Sequence, residues 1–481
     1  MNDITLNTTR LARIRAAALA AARPHNVPSE TPKTLNFTAR REKPRKGARA
    51  AGWRAPLLLA ALSLACCNAP GGDLKRDETK NAPAHEVGEP AQEAQRANAD
   101  ADARDPLSIH RRAVAIDMHA DTVQFMLDEG ADINQRLTTT HLDAVRMREG
   151  GLDAQFFSIW VEPQYYGLKG ERAVSRADEQ IKAVRALAEK NPETWTLATT
   201  AEEVRRAASE GKLAALMGLE GGSAIDERLE SVERYYRMGV RYISPTWTHS
   251  LSWAGSSGDA AGRTRGLNDF GRQVIREMNR LGIMVDVSHV SDKTFWDIVE
   301  TSTKPVIASH SNCRAIANVE RNLTDEQIRA VAKTGGVVSV VFYPGFLEPG
   351  WKERKDSMEP EFRAALDEAS RKAKGSPSLK RIARDRVRER EYAARLPAVP
   401  FARVVDHIDH IVKLVGVDHV GVGSDFDGIQ ATPAGLSSVA DLPNLTAELL
   451  RRGYTEEDVT KILGGNILRV MEEVERTTRA E

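Results

Sequence analysis

Eight short apolar runs, each followed by a longer stretch of different periodicity, restrict this chain to few folds. They fall at 113–118, 154–161, 213–219, 240–245, 283–287, 306–308, 336–342 and 420–423. Each is apolar almost without a break, as a strand covered on both faces must be, because a polar side chain on either face would lose water and gain no partner. Amphipathic patterns over 173–189, 227–238, 267–281, 324–333 and 402–415 place helices between most of them. Asp292, the pair Thr324-Asp325 and Thr455 suit helix caps or first turns. A strand–helix unit repeated eight times predicts a closed (β/α)8 barrel of the TIM type rather than an open doubly wound sheet.

One segment breaks this rhythm. Residues 348–397 are crowded with Arg, Lys and Glu and hold no clear strand. They read as a charged helical insertion before the last strand, on the rim where barrel loops build active sites. Such a composition leads us to expect a solvated, mobile excursion rather than a catalytic part, although its position also suits a lid over bound substrate.

The barrel accounts for 106–481. Ahead of it, 68–105 is rich in Ala, Glu, Asp, Asn and Pro, too poor in large apolar side chains to fold, and is expected to be a disordered tether. Residues 55–67 carry the run Ala-Pro-Leu-Leu-Leu-Ala-Ala-Leu-Ser-Leu-Ala before Cys66, short for a membrane span but suited to a signal-peptide core. Leu62-Ser63-Leu64-Ala65-Cys66 resembles the lipobox of bacterial lipoproteins. An ordinary secretory cleavage site and a fortuitous apolar patch stay open beside it. The expectation is an exported protein, anchored by lipid in the cell envelope or periplasmic, touching membrane only through that anchor. Residues 1–54 form a basic extension, disordered or belonging to an over-long start. Lys plus Arg number 68 and Asp plus Glu 68, so no overall field points to nucleic acid. Three cysteines, two of them adjacent, cannot frame a disulfide-stabilised fold.

Barrel strands end at one rim, so ligating residues at strand ends converge. The first run leads into Asp117-Met118-His119-Ala120-Asp121, where alternation lets His119 and Asp121 point together. The third ends at Glu220-Gly221-Gly222, the fifth leads to His289 and the sixth to His310. One buried histidine is more often structural than ligating. His119, Asp121, Glu220, His289 and His310 at four strand ends are harder to obtain by accident, and they suffice for two metal ions if Glu220 bridges both. His249 follows the fourth strand by several residues and suits a loop contact to substrate. Asp425 after the eighth strand is the natural acid or base at the rim, while Asp427 suits a turn cap. Arg321 could hold an anion in its planar fork.

These segments resemble a known family. DMHAD (117–121), LEGG (219–222), WTHS (247–250), VSHVS (287–291), ASHSN (308–312), RN (321–322) and GSDFDG (423–428) follow the order seen in membrane (renal-type) dipeptidases, zinc peptidases of the amidohydrolase-like barrel group. The resemblance spans about 108–475. It implies that His119 and Asp121 bind one zinc, His289 and His310 the other, and that Glu220 bridges them. It further implies that a bridging hydroxide attacks the peptide bond of a free dipeptide. His249 would then contact the scissile carbonyl, Arg321 the C-terminal carboxylate, and Asp425 the amino end while shuttling the proton. Tolerance of a C-terminal D-residue, β-lactam opening in some members and a homodimer are also implied. Ala120, where members often carry Asn, and the long insertion are departures that bear on substrate range.

Two other functions fit the same residues less well. One is a related amidohydrolase acting on N-acyl amino acids or lactams; the other is an inert surface-anchored binding protein. His110, His141, His407, His410 and His419 lie away from the strand C-termini, and Cys313 is expected to be a small buried residue.

Overall fold

The computed structural model describes residues 105–166 and 171–476. The expected extension, signal-like run and tether lie outside them. Among the described residues no helix is long and apolar enough to cross a membrane.

Nine strands run β1 Ile116–Ala120, β2 Ala154–Trp160, β3 Trp195–Leu197, β4 Leu213–Glu220, β5 Val240–Ser244, β6 Met284–Asp286, β7 Val306–Ala308, β8 Val337–Val340 and β9 Val420–Val422. All pair in parallel in the order β1-β2-β4-β5-β6-β7-β8-β9. The sheet is nearly closed. Asp121 N donates to Phe426 O at 2.9 Å and Asp425 N to His119 O at 3.0 Å, joining the segment after β9 to the end of β1. This is the expected (β/α)8 barrel, with one strand the periodicity did not show. β3 has three residues and pairs only with the start of β4, too short a run to stand out from its polar surroundings.

Almost every strand residue is buried, which is why the runs read as continuously apolar. Met118, Phe156, Leu216, Tyr242, Met284, Ile307 and Val337 meet in one cluster that the C-terminal helix Asn466–Glu475 completes with Ile467, Met471 and Val474. The larger cluster packs the other faces of the strands against the helices. Those helices begin where the sequence supplies caps: Thr324 and Thr455 each form a capping box, and Ser291 accepts from Thr294 N ahead of first-turn Asp292.

The segment before β9 is helical, as expected, but it is not a loose excursion. It forms helices Trp351–Met358, Arg363–Lys372 and Pro377–Arg395. Trp351, Met358, Phe362, Leu366, Ile382, Val387 and Tyr392 are buried. The start of the longest helix is tied to the barrel through Ser378, whose hydroxyl lies 3.2 Å from Tyr165 Oη and 3.5 Å from an Arg176 nitrogen. Its charges are largely paired with each other, which lets so polar a segment pack. Pro377–Arg395 thereby roofs the C-terminal rim of the barrel.

Candidate metal centre

β1 carries a bulge where the site begins. Asp117 pairs with Gln155 but Ala120 with Phe157, so β1 holds one extra residue there. The strand also runs on to Ala120, past the end expected from its apolar pattern. His119 stands in this bulge with its Nε2 3.2 Å from Glu220 Oε2 and 3.8 Å from Asp121 Oδ2. Glu220, the last residue of β4, turns its other oxygen the opposite way: Oε1 lies 2.9 Å from His289 Nε2 and 3.7 Å from His310 Nε2. The two Nε2 atoms of His289 and His310 are 2.9 Å apart. The five residues expected as ligands are thus gathered into one buried cluster, with Glu220 between its halves.

The donor set fits divalent cations. His119 Nε2 and Asp121 Oδ1 are buried and have no hydrogen-bond partner, a costly state for groups with nothing to hold. Three overlapping sets, His119–Asp121–Glu220, Glu220–His289–His310 and His119–His310–Asp425, each bring three ligand atoms within 4.8 Å of one another. Imidazole and carboxylate are the ligands zinc takes.

Surrounding groups fix these side chains. His119 Nδ1 lies 2.8 Å from Tyr242 Oη, and His310 Nδ1 2.8 Å from Ser309 Oγ. A proton on Nδ1 of each ring would leave Nε2 to present a lone pair to a metal. Tyr242 fits only because β4 carries Gly218 opposite; a Cβ there would overlap the Tyr242 ring. Ser158 Oγ donates to Glu220 Oε2 at 2.9 Å. Two buried aspartates fasten neighbouring strand ends: Asp117 accepts from Ser424 N at 2.8 Å and Ser424 Oγ at 2.6 Å, and Asp286 from Ser309 N at 2.9 Å and Ser309 Oγ at 2.6 Å. His289 and Asp425 sit at φ 69° and 63°, left-handed conformations that side chains other than glycine rarely adopt and that gather at functional sites.

Burial and crowding set the electrostatics. Burial, then Arg321, lowers His289 to about 4, and burial with His119 and Arg321 holds His310 well below its ordinary value. Both are neutral imidazoles, the form a metal requires. Burial would depress His119 too, but Glu220, Asp121 and Asp425 outweigh it and push it up to about 10. Burial raises Asp121 to about 7 with help from Glu220, and lifts Asp425 well above its ordinary value, Asp121 and Glu220 opposing the pull of His119. Glu220 is held low, His119 and His289 overcoming its burial.

The other expected residues are placed less uniformly. Asp425 lines the cavity above the cluster. Arg321 lies behind His310, donating to Ser311 Oγ at 2.6 Å and to His310 O at 2.7 Å, while its Nε is buried without a partner. His249 is not among the residues brought together: it is exposed, its ring stacked on Trp247 at 5.6 Å between centroids. Asp427 braces the rim, accepting from Thr122 Oγ1 at 2.6 Å and His141 N at 2.5 Å. His141 therefore belongs to this rim, contrary to the expectation that it lies away from it; Asp427 is 286 positions distant, and no local pattern announces the pairing.

The cavity over the cluster measures about 250 Å³. Its walls include Trp160, Trp247 and Gln430, and, from the inserted helix, Arg381, Asp385 and Arg388. Sequence reasoning assigned none of these six. Asp385 accepts from Arg381 at 2.9 Å and Arg388 at 2.8 Å, and Arg381 lies 5.1 Å over the Trp160 ring.

A family profile described as membrane dipeptidase (peptidase family M19) matches residues 104–481. The chain belongs to the membrane dipeptidase family. It is accordingly a metallo-dipeptidase, a hydrolase acting on peptide bonds. An uncharacterized dipeptidase of Schizosaccharomyces pombe is 34% identical over 347 residues, 70% of this chain and 73% of that protein. Among solved structures, the probable dipeptidase PvdM from Pseudomonas aeruginosa is similar at 27% identity and a TM-score of 0.66, over 81% of this chain and 100% of that one. A metallopeptidase from Rhodobacter sphaeroides, liganded with a phosphinate mimic of the dipeptide L-Ala-D-Ala, is similar at 26% identity and a TM-score of 0.61, over 75% of this chain and 99% of that one. In this member of the family the metal-binding candidates all lie beneath the inserted roof.

Proposed function

We propose that this dipeptidase uses two zinc ions, one held by His119 and Asp121 and the other by His289 and His310, with Glu220 shared between them. The observation that carries this reading is the orientation of Glu220, whose Oε2 faces His119 and whose Oε1 faces His289 and His310. Zinc bound there supplies a hydroxide at neutral pH and polarises the scissile carbonyl.

The chain's own residues do the rest. Asp425 lines the cavity with its affinity for a proton raised by burial; as the carboxylate it would take the proton released by the attacking water, and as the acid so formed give it to the leaving amine nitrogen. Arg321 has a free Nε and a buried charge for the substrate's C-terminal carboxylate. Requiring both ends of the substrate to be free selects dipeptides over N-acyl amino acids and lactams. His249 reaches the carbonyl only by turning off Trp247 toward the cavity. The reading extends to dipeptides with a C-terminal D-residue, supported by the similar metallopeptidase that carries a phosphinate mimic of L-Ala-D-Ala. The apolar run before Cys66 supports a reading of an exported enzyme, anchored by lipid in the cell envelope or periplasmic.

A hydrolysis screen over L,L- and L,D-dipeptides and N-acetylated amino acids, with and without zinc, tests the reading. Zinc-dependent turnover of the dipeptides is expected. Turnover confined to N-acetylated amino acids would move the assignment to the related amidohydrolases.

A further inference from the structure

We propose that a second cavity, adjoining the metal centre, is a subsite for a long basic side chain on the N-terminal residue of the dipeptide. The inference rests on the dipeptidase reading above and names the substrate class that reading leaves open. One helix, Pro377–Arg395, borders both spaces. Arg381, Asp385 and Arg388 face the metal cavity, while Glu389, Tyr392 and Leu396 line the second, of about 410 Å³. Gln430 lines both, so that side chain borders the two spaces from between them.

The second cavity has apolar walls and one charge without a partner. Pro344, Trp351, Tyr392, Leu396, Val399 and Pro433 give it a surface suited to methylene groups. Glu389 forms no hydrogen bond or ion pair among the described residues. The cations around it are engaged elsewhere: Arg386 with Glu129, Arg388 with Glu359 and Asp385, Arg390 with Glu391. His141, across the cavity, is engaged with Asp427, accepting its N–H on Nδ1 at 2.9 Å and lying 3.3 Å from its Oδ1, and Asp427 behind it adds a second carboxylate. A half-buried carboxylate left unpaired among so many arginines is costly unless a ligand supplies the cation.

Position decides which residue of the substrate reaches it. Asp425, at the substrate's amino end, and Gln430 lie in the same loop after β9, so the N-terminal side chain is the one that leads past Gln430. Glu389 lies one helical turn, about 6 Å of rise, beyond Asp385. Three or four methylenes ending in an ammonium or guanidinium cover that distance; an alanyl side chain does not.

The test compares kcat/KM of the full, zinc-loaded chain on L-lysyl-L-alanine and L-norleucyl-L-alanine, which share a carbon chain and differ in the terminal nitrogen. The wild type should favour the lysyl substrate by about tenfold, the range of one partly desolvated charge pair. Glu389→Gln should bring the ratio close to one, and Glu389→Lys should reverse it. A wild-type ratio of one, or an unchanged ratio in Glu389→Gln, overturns the assignment. Turnover of norleucyl-alanine in those same assays upholds the dipeptidase reading whatever the ratio. Absence of turnover on every dipeptide removes that reading, and this inference with it.

Discussion

The hydroxyl of Tyr242 lies 2.8 Å from Nδ1 of His119, and it reaches there across the space left by Gly218. A hydrogen on the α-carbon of one strand thus decides which nitrogen of a histidine two strands away faces the metal site.

Tyr242→Phe removes the partner that orients His119 without opening a cavity. Metal affinity should fall about 10–100-fold, the usual effect of losing such a partner, while the thermal midpoint changes little. Gly218→Ala should be harsher, displacing the Tyr242 ring and lowering both metal content and stability. Metal titration followed by spectrometry of bound zinc checks both, and undiminished affinity in Tyr242→Phe would refute the orienting role.

Glu220→Ala or His289→Ala should abolish metal-dependent hydrolysis, because on the two-zinc proposal each removes a ligand. Stripping the wild type with a chelator should do the same, and added zinc should restore it. Full activity in a metal-free sample would sink the two-zinc proposal.

Glu162 is buried with no hydrogen bond to either oxygen; Arg176 Nε lies 3.5 Å and Arg381 Nε 3.9 Å away. Glu162→Gln leaves those two charges facing each other between the barrel and its roof. It should cost about 3 kcal/mol of stability and raise the rate of limited proteolysis within 348–397 several-fold. A cleavage pattern and midpoint like the wild type would show that the roof is held by packing alone.

His407 is neutral in one tautomer: Nδ1 accepts from Cys313 N at 3.0 Å and Nε2 donates to Leu347 O at 3.1 Å. Burial lowers its pKa to about 4. Between about 6.5 and about 4 the unfolded chain binds a proton at this position that the native chain refuses, so stability falls as pH drops through that window and levels off below it. His110, lowered by burial to about 4, adds to the slope. Each contributes up to about 3 kcal/mol. Denaturant titrations of wild type and His407→Gln at pH 7 and pH 5 should show a smaller loss in the variant.

The barrel was legible because its strands are covered on both faces, and full burial writes itself as continuous apolar sequence. The candidate metal-binding residues could be singled out because they stand where those runs stop. Other features depend on pairings between distant positions. The bulge at His119 comes from the register of β1 against β2, and the contact of His141 with Asp427 spans 286 positions. The packing of the roof was hidden for a different reason. Its buried residues, such as Leu366, Ile382, Val387 and Tyr392, are spaced among charges that neutralise one another in the fold, and composition counts those charges as if they were solvated. His249 shows the converse: its place in an ordered series of motifs gave it a role, but its side chain lies on Trp247, outside the cavity.

Because one inserted helix brings Arg381, Asp385 and Arg388 over a cavity whose metal-binding candidates all come from the barrel, part of the wall that meets substrate lies on a separate stretch of the chain. Substitutions along 377–395 can redraw what enters without disturbing a ligand. Diversification of such an enzyme therefore has a cheap route, in which new diets arise from surface turns of one helix while the hydrolytic machinery is inherited whole.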